Sequence, residues 1–312
     1  MGVQAKKVVV VGATGTLGNK IVKALLAQGT EVTAMVRPTS NRSNLEDMGV
    51  RNFAFGDMMD KSSLKEALAP SHGFDAVVAS AAGYTGHTKG DSPLADTIGY
   101  QNLVDATKEV GIPRFVMISI LECDKAKDVP HFYNKYRTEK YLIEKKQPFI
   151  ALRAGIFLDQ TRDFILPKIT KGILPVFFEG STYSYGMIYT PDLARYAALA
   201  ATALPDTALN KAIDVGWAEP VNEKKLAAAF EKVLKKPVKT EAAIPPFVVK
   251  VFFPVLSIFK GGLGDMLQMI KWVKTGAYVS KNTQLQKEFF GDLPTIEEAI
   301  KRYCIDKDLI SE

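Results

Sequence analysis

The chain has 312 residues, 47% of them apolar and 24% charged, the balance of a globular protein large enough to bury a sizeable core. Its 40 Lys and Arg against 34 Asp and Glu leave a formal charge of +6, and no basic run interleaves with aromatics, so no nucleic acid is expected as a partner. Cys123 and Cys304 are far apart, and His72, His87 and His131 form no ligand spacing, so neither a disulfide framework nor a metal site is expected.

The first element is a β-branched run over residues 6–11, whose unbroken apolar character suits a central strand buried on both faces. It stops at Gly12. Gly12-Ala13-Thr14-Gly15-Thr16-Leu17-Gly18 then leads into a helix in which Leu17, Ile21, Val22, Leu25 and Leu26 recur at helical spacing until Gly29. Strands follow at 31–36, 51–55 and 74–80, with short helices at 44–48 and 62–68 between them. Residues 95–110 predict a long helix closed by Gly111, and 114–119 a fifth strand. Residues 130–146 predict a helix with Pro130 at its start, and 149–153 a sixth strand. Strands alternating with helices at this spacing demand right-handed crossovers, hence an α/β fold with a Rossmann-type doubly wound parallel sheet.

After Gly155 the rhythm changes. Helices are predicted at 164–170, 191–204 and 222–234, strands at 187–189 and 213–215, and an aromatic, turn-rich stretch at 174–184. Helical segments broken by Pro and Gly follow at 247–259, 263–273 and 293–303. The expected division is a dinucleotide-binding domain, residues 1–154, and a smaller, mainly helical substrate lobe, residues 155–312, interleaved with the sheet edge. Residues 247–259 are too short to span a bilayer and contain Lys250 and Pro254, so stable membrane insertion is not expected. They read as a packed lobe helix, as a wall over an apolar substrate near Phe177, Phe178 and Tyr183, or as a patch facing a membrane or a second subunit. A homodimer or protein partner therefore stays open. The chain enters its first strand within a few residues, which leaves no room for a signal peptide, and a cytoplasmic location is expected.

The glycine turn carries the chemistry. In Gly12-x-x-Gly15-x-x-Gly18 the first glycine makes the turn, the second lets phosphates approach the backbone, and the third lets the helix pack close. A tight turn with no ligand, in which Thr14 and Thr16 only cap, is the plain alternative. An acid at the end of the second strand would hold the ribose of NAD. This chain has Arg37 there, with Ser40 and Arg42 nearby and no acid until Glu46, which favours a 2′-phosphate and hence NADP(H). A solvated strand-end charge is the bland account of Arg37. Asp57 and Met58, after the third strand, are placed for the adenine edge, with a helix cap as the alternative for Asp57. Ala79, Ser80 and Ala81 are small where a backbone must pass the cofactor, although packing explains them equally well.

These features resemble the atypical short-chain dehydrogenase/reductases, within them the NmrA-like and isoflavone-reductase-like group. The likeness rests on Gly12–Gly18, Arg37, Gly56-Asp57, Asn102-Leu103-Val104-Asp105-Ala106, Phe115-Val116-Met117-Ile118-Ser119, Lys135 with Glu139, Leu152-Arg153-Ala154-Gly155, and Tyr189-Thr190-Pro191-Asp192-Leu193-Ala194. Tyr136-x-x-x-Lys140 matches the family's Tyr-x-x-x-Lys on its face. In similar proteins, however, the lysine lies one turn before a glutamate at a fixed interval from the Leu-Arg of the next strand. That register selects Lys135 and puts His131 where the family has tyrosine. At about 100° per residue Phe132, Tyr136, Leu142 and Ile143 define the apolar arc, with Lys135 inside it and Lys140 beyond it. The resemblance implies that Lys135 contacts the cofactor, with a snorkelling surface lysine as the alternative. It implies that Ser119 hydrogen-bonds near the nicotinamide, unless it merely ends its strand. His131 reads as a proton donor or as a capping or surface residue. The expected function is NADPH-dependent reduction of a small or medium apolar carbonyl, enone or quinone-like acceptor. The alternative is an NADP(H)-binding sensor without turnover.

Overall fold

The computed structural model describes residues 7–83, 93–159, 163, 165–176, 183–245, 247–248 and 261–311. β1 (Lys7–Val11) holds Val8, Val9 and Val10 with no exposure, which is why its sequence lacks the polar alternation of a half-exposed strand. Each such side chain contributes roughly 1.5–3 kcal/mol by leaving water. The alternating part continues as α1 (Thr16–Ala27), β2 (Glu31–Val36), α2 (Ser43–Asp47), β3 (Asn52–Phe55), α3 (Lys61–Ala67), β4 (Ala76–Ala79), α4 (Ile98–Val110), β5 (Phe115–Ile120), α5 (Pro130–Glu144) and β6 (Phe149–Ala154). Then come β7 (Ile156–Phe157), α6 (Leu166–Ile169), β8 (Ile173–Val176), β9 (Met187–Ile188), α7 (Thr190–Thr202), β10 (Lys211–Val215), α8 (Glu223–Leu234), β11 (Lys239–Ala242), α9 (Gly261–Lys274), α10 (Gln284–Phe290) and α11 (Ile296–Asp306).

Seven strands form one sheet in the order β10-β6-β5-β4-β1-β2-β3. The pairings of β1 with β2 and β4, of β2 with β3 and of β4 with β5 are parallel, with Val9 opposite Thr33 on one side and Val77 on the other. The chain winds outward from β1 to β3, then restarts at β4 on the other side of β1. Strand order thus reverses between β1 and β4, where a doubly wound sheet opens a crevice at its carboxyl edge. The residues there are Gly12 onward and Ala79 onward.

Two compact units divide the chain: residues 1–124, 131–153 and 190–213 form the first, residues 125–130, 154–189 and 214–312 the second. The first therefore takes in α7 and most of β10, which a cut at 154/155 assigns to the lobe. α7 belongs there because it packs on α1, where Lys20 Nζ donates to Thr190 Oγ1 and Thr202 Oγ1 donates to Gln28 Oε1 at 3.0 Å. In the second unit β7 pairs with β9 and β8 with β11, and α8 packs on α11.

Several expected elements change. The helix expected over 95–110 is a 3-10 turn at Pro93–Asp96 followed by α4. The helix expected over 164–170 shrinks to α6, and the one over 293–303 begins at Ile296 because Thr295 caps it reciprocally with Glu298. The strand at 213–215 is not the last, since β11 follows and pairs with β8, and α10 lies in a stretch given no element. Phe177, Phe178 and nearly all of 247–259 lie outside the described residues; Phe247 is 61% exposed.

Candidate cofactor site

The turn after β1 is built as its glycines require. Gly12 has φ +81°, and a Cβ there would lie 2.7 Å from the backbone nitrogen of Ala81. A Cβ on Gly18 would lie 2.0 Å from the carbonyl oxygen of Gly12, so that position admits no side chain while α1 keeps its place. Gly15 is different. It is exposed, has φ −77° and ψ 162°, and would bring a Cβ no closer than 3.3 Å to Gly12 O. Gly15 starts α1 without a side-chain cap, no acid lies in the first turn, and Thr14 and Thr16 are exposed. Helix N-terminal amides and the positive end of the dipole therefore face outward with nothing from α1's own side chains on them, which is what a diphosphate requires.

β2 is followed by Arg37, which is half-buried. Arg42 is held by Glu46, Nε to Oε1 at 2.9 Å, and lies over the rings of Phe53 and Phe55 at 5.0 and 5.6 Å. Asp57 Oδ1 accepts from Met59 N at 2.8 Å, and the cap of α3 is Asp60, not Asp57. Met58 is fixed through its carbonyl, which accepts from Asn102 Nδ2 at 3.0 Å. Beyond β4, Ser80 donates its hydroxyl to Val11 O at 3.1 Å, locking the two strand ends together beside Gly12. Ala79 is fully buried and Ala81 partly so.

α5 presents its buried face around Phe132, Lys135, Thr138, Glu139 and Leu142. At about 100° per residue this arc is centred near Lys135 itself. The apolar arc expected around Ile143 is therefore rotated, and Ile143 is 53% exposed. The burial of Thr138 and Glu139 explains the rotation, because both find partners. Thr138 donates to Asn134 O at 3.1 Å, and Glu139 accepts from Ser119 at 2.6 Å and from Arg153 at 2.6 and 3.1 Å. Lys140 is exposed and Tyr136 half-buried, its ring 5.7 Å from that of Tyr133.

Lys135 is 6% exposed. Its Nζ donates to Asp96 Oδ1 at 3.0 Å, lies 3.4 Å from Ala81 O and sits 4.2 Å from the centre of the Tyr100 ring. Burial alone would lower its pKa, but the Asp96 carboxylate and Tyr100 outweigh that and hold it above the ordinary lysine range. Asp96 Oδ2 accepts from Gly83 N at 2.9 Å, and the Tyr100 hydroxyl donates to Ala81 O at 2.7 Å. Neither Asp96 nor Tyr100 stood out in the sequence. The available signal is that a buried ammonium needs a counter-charge, but the acid lies 39 residues upstream, too far for local spacing to pair the two.

Ser119 is 1% exposed and donates its hydroxyl to Glu139. Cys123 lies 3.7 Å from Glu139, and burial, then that carboxylate, push its thiol up to about 12, which makes it unreactive. His131 is half-buried at the start of α5, its ring edge-on to Phe132 at 4.5 Å. Among the described residues no three His, Cys, Asp or Glu are grouped to hold a metal ion, and no helix is long and apolar enough to cross a membrane.

Residues 4–301 match the NmrA-like family. The chain belongs to that family. Among solved structures, it is similar to a Citrobacter triphenylmethane reductase complexed with NADP(H), at 20% identity and TM-score 0.71, covering 95% of this chain and 99% of that one. It is also similar to an NADPH-dependent quinone oxidoreductase from Escherichia coli complexed with NADPH, at 18% identity and TM-score 0.71 over the same shares. These likenesses establish the Rossmann-type fold. By sequence it is 34% identical over 157 residues to the Arabidopsis thaliana chloroplastic protein High Chlorophyll Fluorescence Phenotype 244, covering 50% of this chain and 38% of the relative. It is 31% identical over 196 residues to the photosystem II assembly factor Ycf39 of Synechocystis, covering 61% of this chain and 57% of the relative. The chain spans 38% to 58% of the length of the first curated relatives it matches.

Proposed function

We propose that the chain binds NADP(H) at the Gly12–Gly18 turn and uses it to reduce a small or medium apolar carbonyl, enone or quinone-like acceptor. The observation that carries this reading is the turn itself. It packs backbone on backbone at Gly12 and Gly18, leaves Gly15 open, and starts a helix with no side-chain cap. In this reading the amides of Thr16, Leu17 and Gly18 hold the diphosphate and Arg37 holds the 2′-phosphate. Asp57 and Met58 border the adenine, and Ala79, Ser80 and Ala81 give the cofactor a close backbone wall. Lys135 presents a fixed positive charge, and His131 hands a proton to the reduced acceptor. Ser119 serves through Glu139 by fixing α5. The cofactor, when bound, supplies the hydride. NADP(H) bound by reductases of the same fold supports the assignment. A cytoplasmic location accompanies this reading.

The second reading is an NADP(H)-binding protein without turnover that works through a protein partner. The observation that favours it is that sequence relatives are described as photosystem II assembly factors, and the register that the resemblance implies, with His131 in place of tyrosine, agrees with it. Calorimetric titration with NADPH and NADH, followed by NADPH oxidation against a panel of quinones, enones and aldehydes, separates the two. Tighter binding of NADH would refute the role given to Arg37. Tight NADPH binding with a flat panel would replace the reductase reading by the second one.

A further inference from the structure

Three elements meet at Asp96. The residue ends the 3-10 turn before α4, one carboxylate oxygen holds Lys135 of α5, and the other holds the amide of Gly83 in the segment that follows β4. The side chains of Lys135 and Asp96 are only 8% and 4% exposed. A buried pair of this kind is a poor source of stability, because desolvating both ions cancels most of their attraction and an apolar pair would serve as well. Its location gives it another use. Lys135 and Tyr100 both address Ala81 O, and the backbone of Ala81 is the wall that Gly12 approaches so closely that a Cβ there would meet Ala81 N at 2.7 Å.

We propose that Asp96 is a positioning residue of the cofactor site, which fixes the Lys135 ammonium and the Ala81–Gly83 wall as one unit. The inference rests on the proposed binding of NADP(H). Asp96 itself touches the cofactor nowhere in this scheme; it acts through Lys135 and Gly83. Among the described residues, the groups that face the ammonium are the Asp96 carboxylate, the Tyr100 side chain and the Ala81 carbonyl. Without the carboxylate, burial is opposed by Tyr100 with less help, so the lysine gives up its charge at a lower pH than in the wild-type protein.

The test uses the full chain and NADPH as probe, with Kd measured at pH 7 and pH 9.5. Asp96→Asn weakens binding about tenfold at pH 7, the scale of one charged hydrogen bond, and its deficit relative to wild type widens at pH 9.5. In a Lys135→Met background Asp96→Asn loses less than about twofold, since its effect runs largely through the lysine. A deficit of equal size in both backgrounds, or one unchanged with pH, overturns the proposal. Should Asp96→Asn fail to fold, Asp96→Glu keeps the charge one methylene out of place. It then binds NADPH more weakly with an unchanged pH profile, and binding equal to wild type overturns the proposal. Wild-type protein that binds no NADPH would instead refute the cofactor assignment on which all this stands.

Discussion

Gly15→Ala separates what the glycine turn does for the fold from what it does for a ligand. The backbone at Gly15 has φ −77° and ψ 162°, which alanine adopts freely, and the new Cβ meets only Gly12 O at 3.3 Å. Alanine in place of glycine at a helix N-cap costs on the order of 1 kcal/mol or less, a fall of about 2–4 °C in Tm for a unit of this size. Cofactor binding responds on a different scale. A methyl group between the α1 amides and a diphosphate displaces at least two charged hydrogen bonds, together about 3 kcal/mol or more, which is on the order of a hundredfold in Kd. Gly18→Ala is the opposite case: its Cβ would lie 2.0 Å from Gly12 O and 2.8 Å from Gly12 C, so α1 must shift and the fold loses about 1–3 kcal/mol. Thermal melts and NADPH calorimetry on both variants read the two effects. A folded Gly15→Ala protein that binds NADPH within about threefold of wild type would refute the diphosphate cradle.

Arg37→Ala weakens NADPH about tenfold and NADH less than about twofold in the same calorimetric assay; equal losses would remove Arg37 from 2′-phosphate recognition. Lys135→Ala leaves the Asp96 carboxylate buried and unpaired and costs about 3 kcal/mol in urea unfolding, while exposed Lys140→Ala stays within about 0.5 kcal/mol. NADPH affinity unchanged in Lys135→Ala but abolished in Lys140→Ala would restore Tyr136-x-x-x-Lys140 as the operative register. Arg153→Met strands Glu139 and destabilises by about 3–5 kcal/mol, and adding Glu139→Gln recovers part of that loss; a fully additive double variant would deny the coupling. Burial raises the pKa of Asp105, but hydrogen bonds from Lys61 and Tyr141 outweigh it and leave the carboxyl below the ordinary aspartate range. The stability that this ionised group contributes is present above about pH 4 and lost as pH falls through the depressed pKa, so the advantage of wild type over Asp105→Asn in urea shrinks in that direction. A constant advantage down to the acid transition would show that the Lys61–Asp105 pair contributes nothing.

The alternating half of the fold was legible because it is written in local periodicity. Val8–Val11 reads as a strand buried on both faces, and Gly12 marks where it must turn. The closeness of Gly12 to Ala81 could not be read, because it follows from strand order: β4 lies beside β1 although two strands and three α-helices intervene in the chain. The second unit was harder for a related reason. Its strands are two and four residues long and pair across gaps, β8 with β11 and β7 with β9, so neither strand carries a period long enough to detect. α6 and α11 were placed but misbounded, since caps such as Thr295 fix their ends more sharply than the apolar pattern does.

Lys135 shows how far a pattern argument reaches. Helical geometry put it inside a buried arc, and burial at 6% agrees. The resemblance implies a cofactor contact for this ammonium, but its counter-charge comes from within the chain, from Asp96. A paired lysine makes a better electrostatic fixture than an unpaired one. It stays charged through the working pH range, and its position is set by three elements before any ligand arrives. It also makes a poor proton donor, for the same reason. The proton of the proposed reduction is therefore assigned to His131, one turn before Lys135 on the same helix.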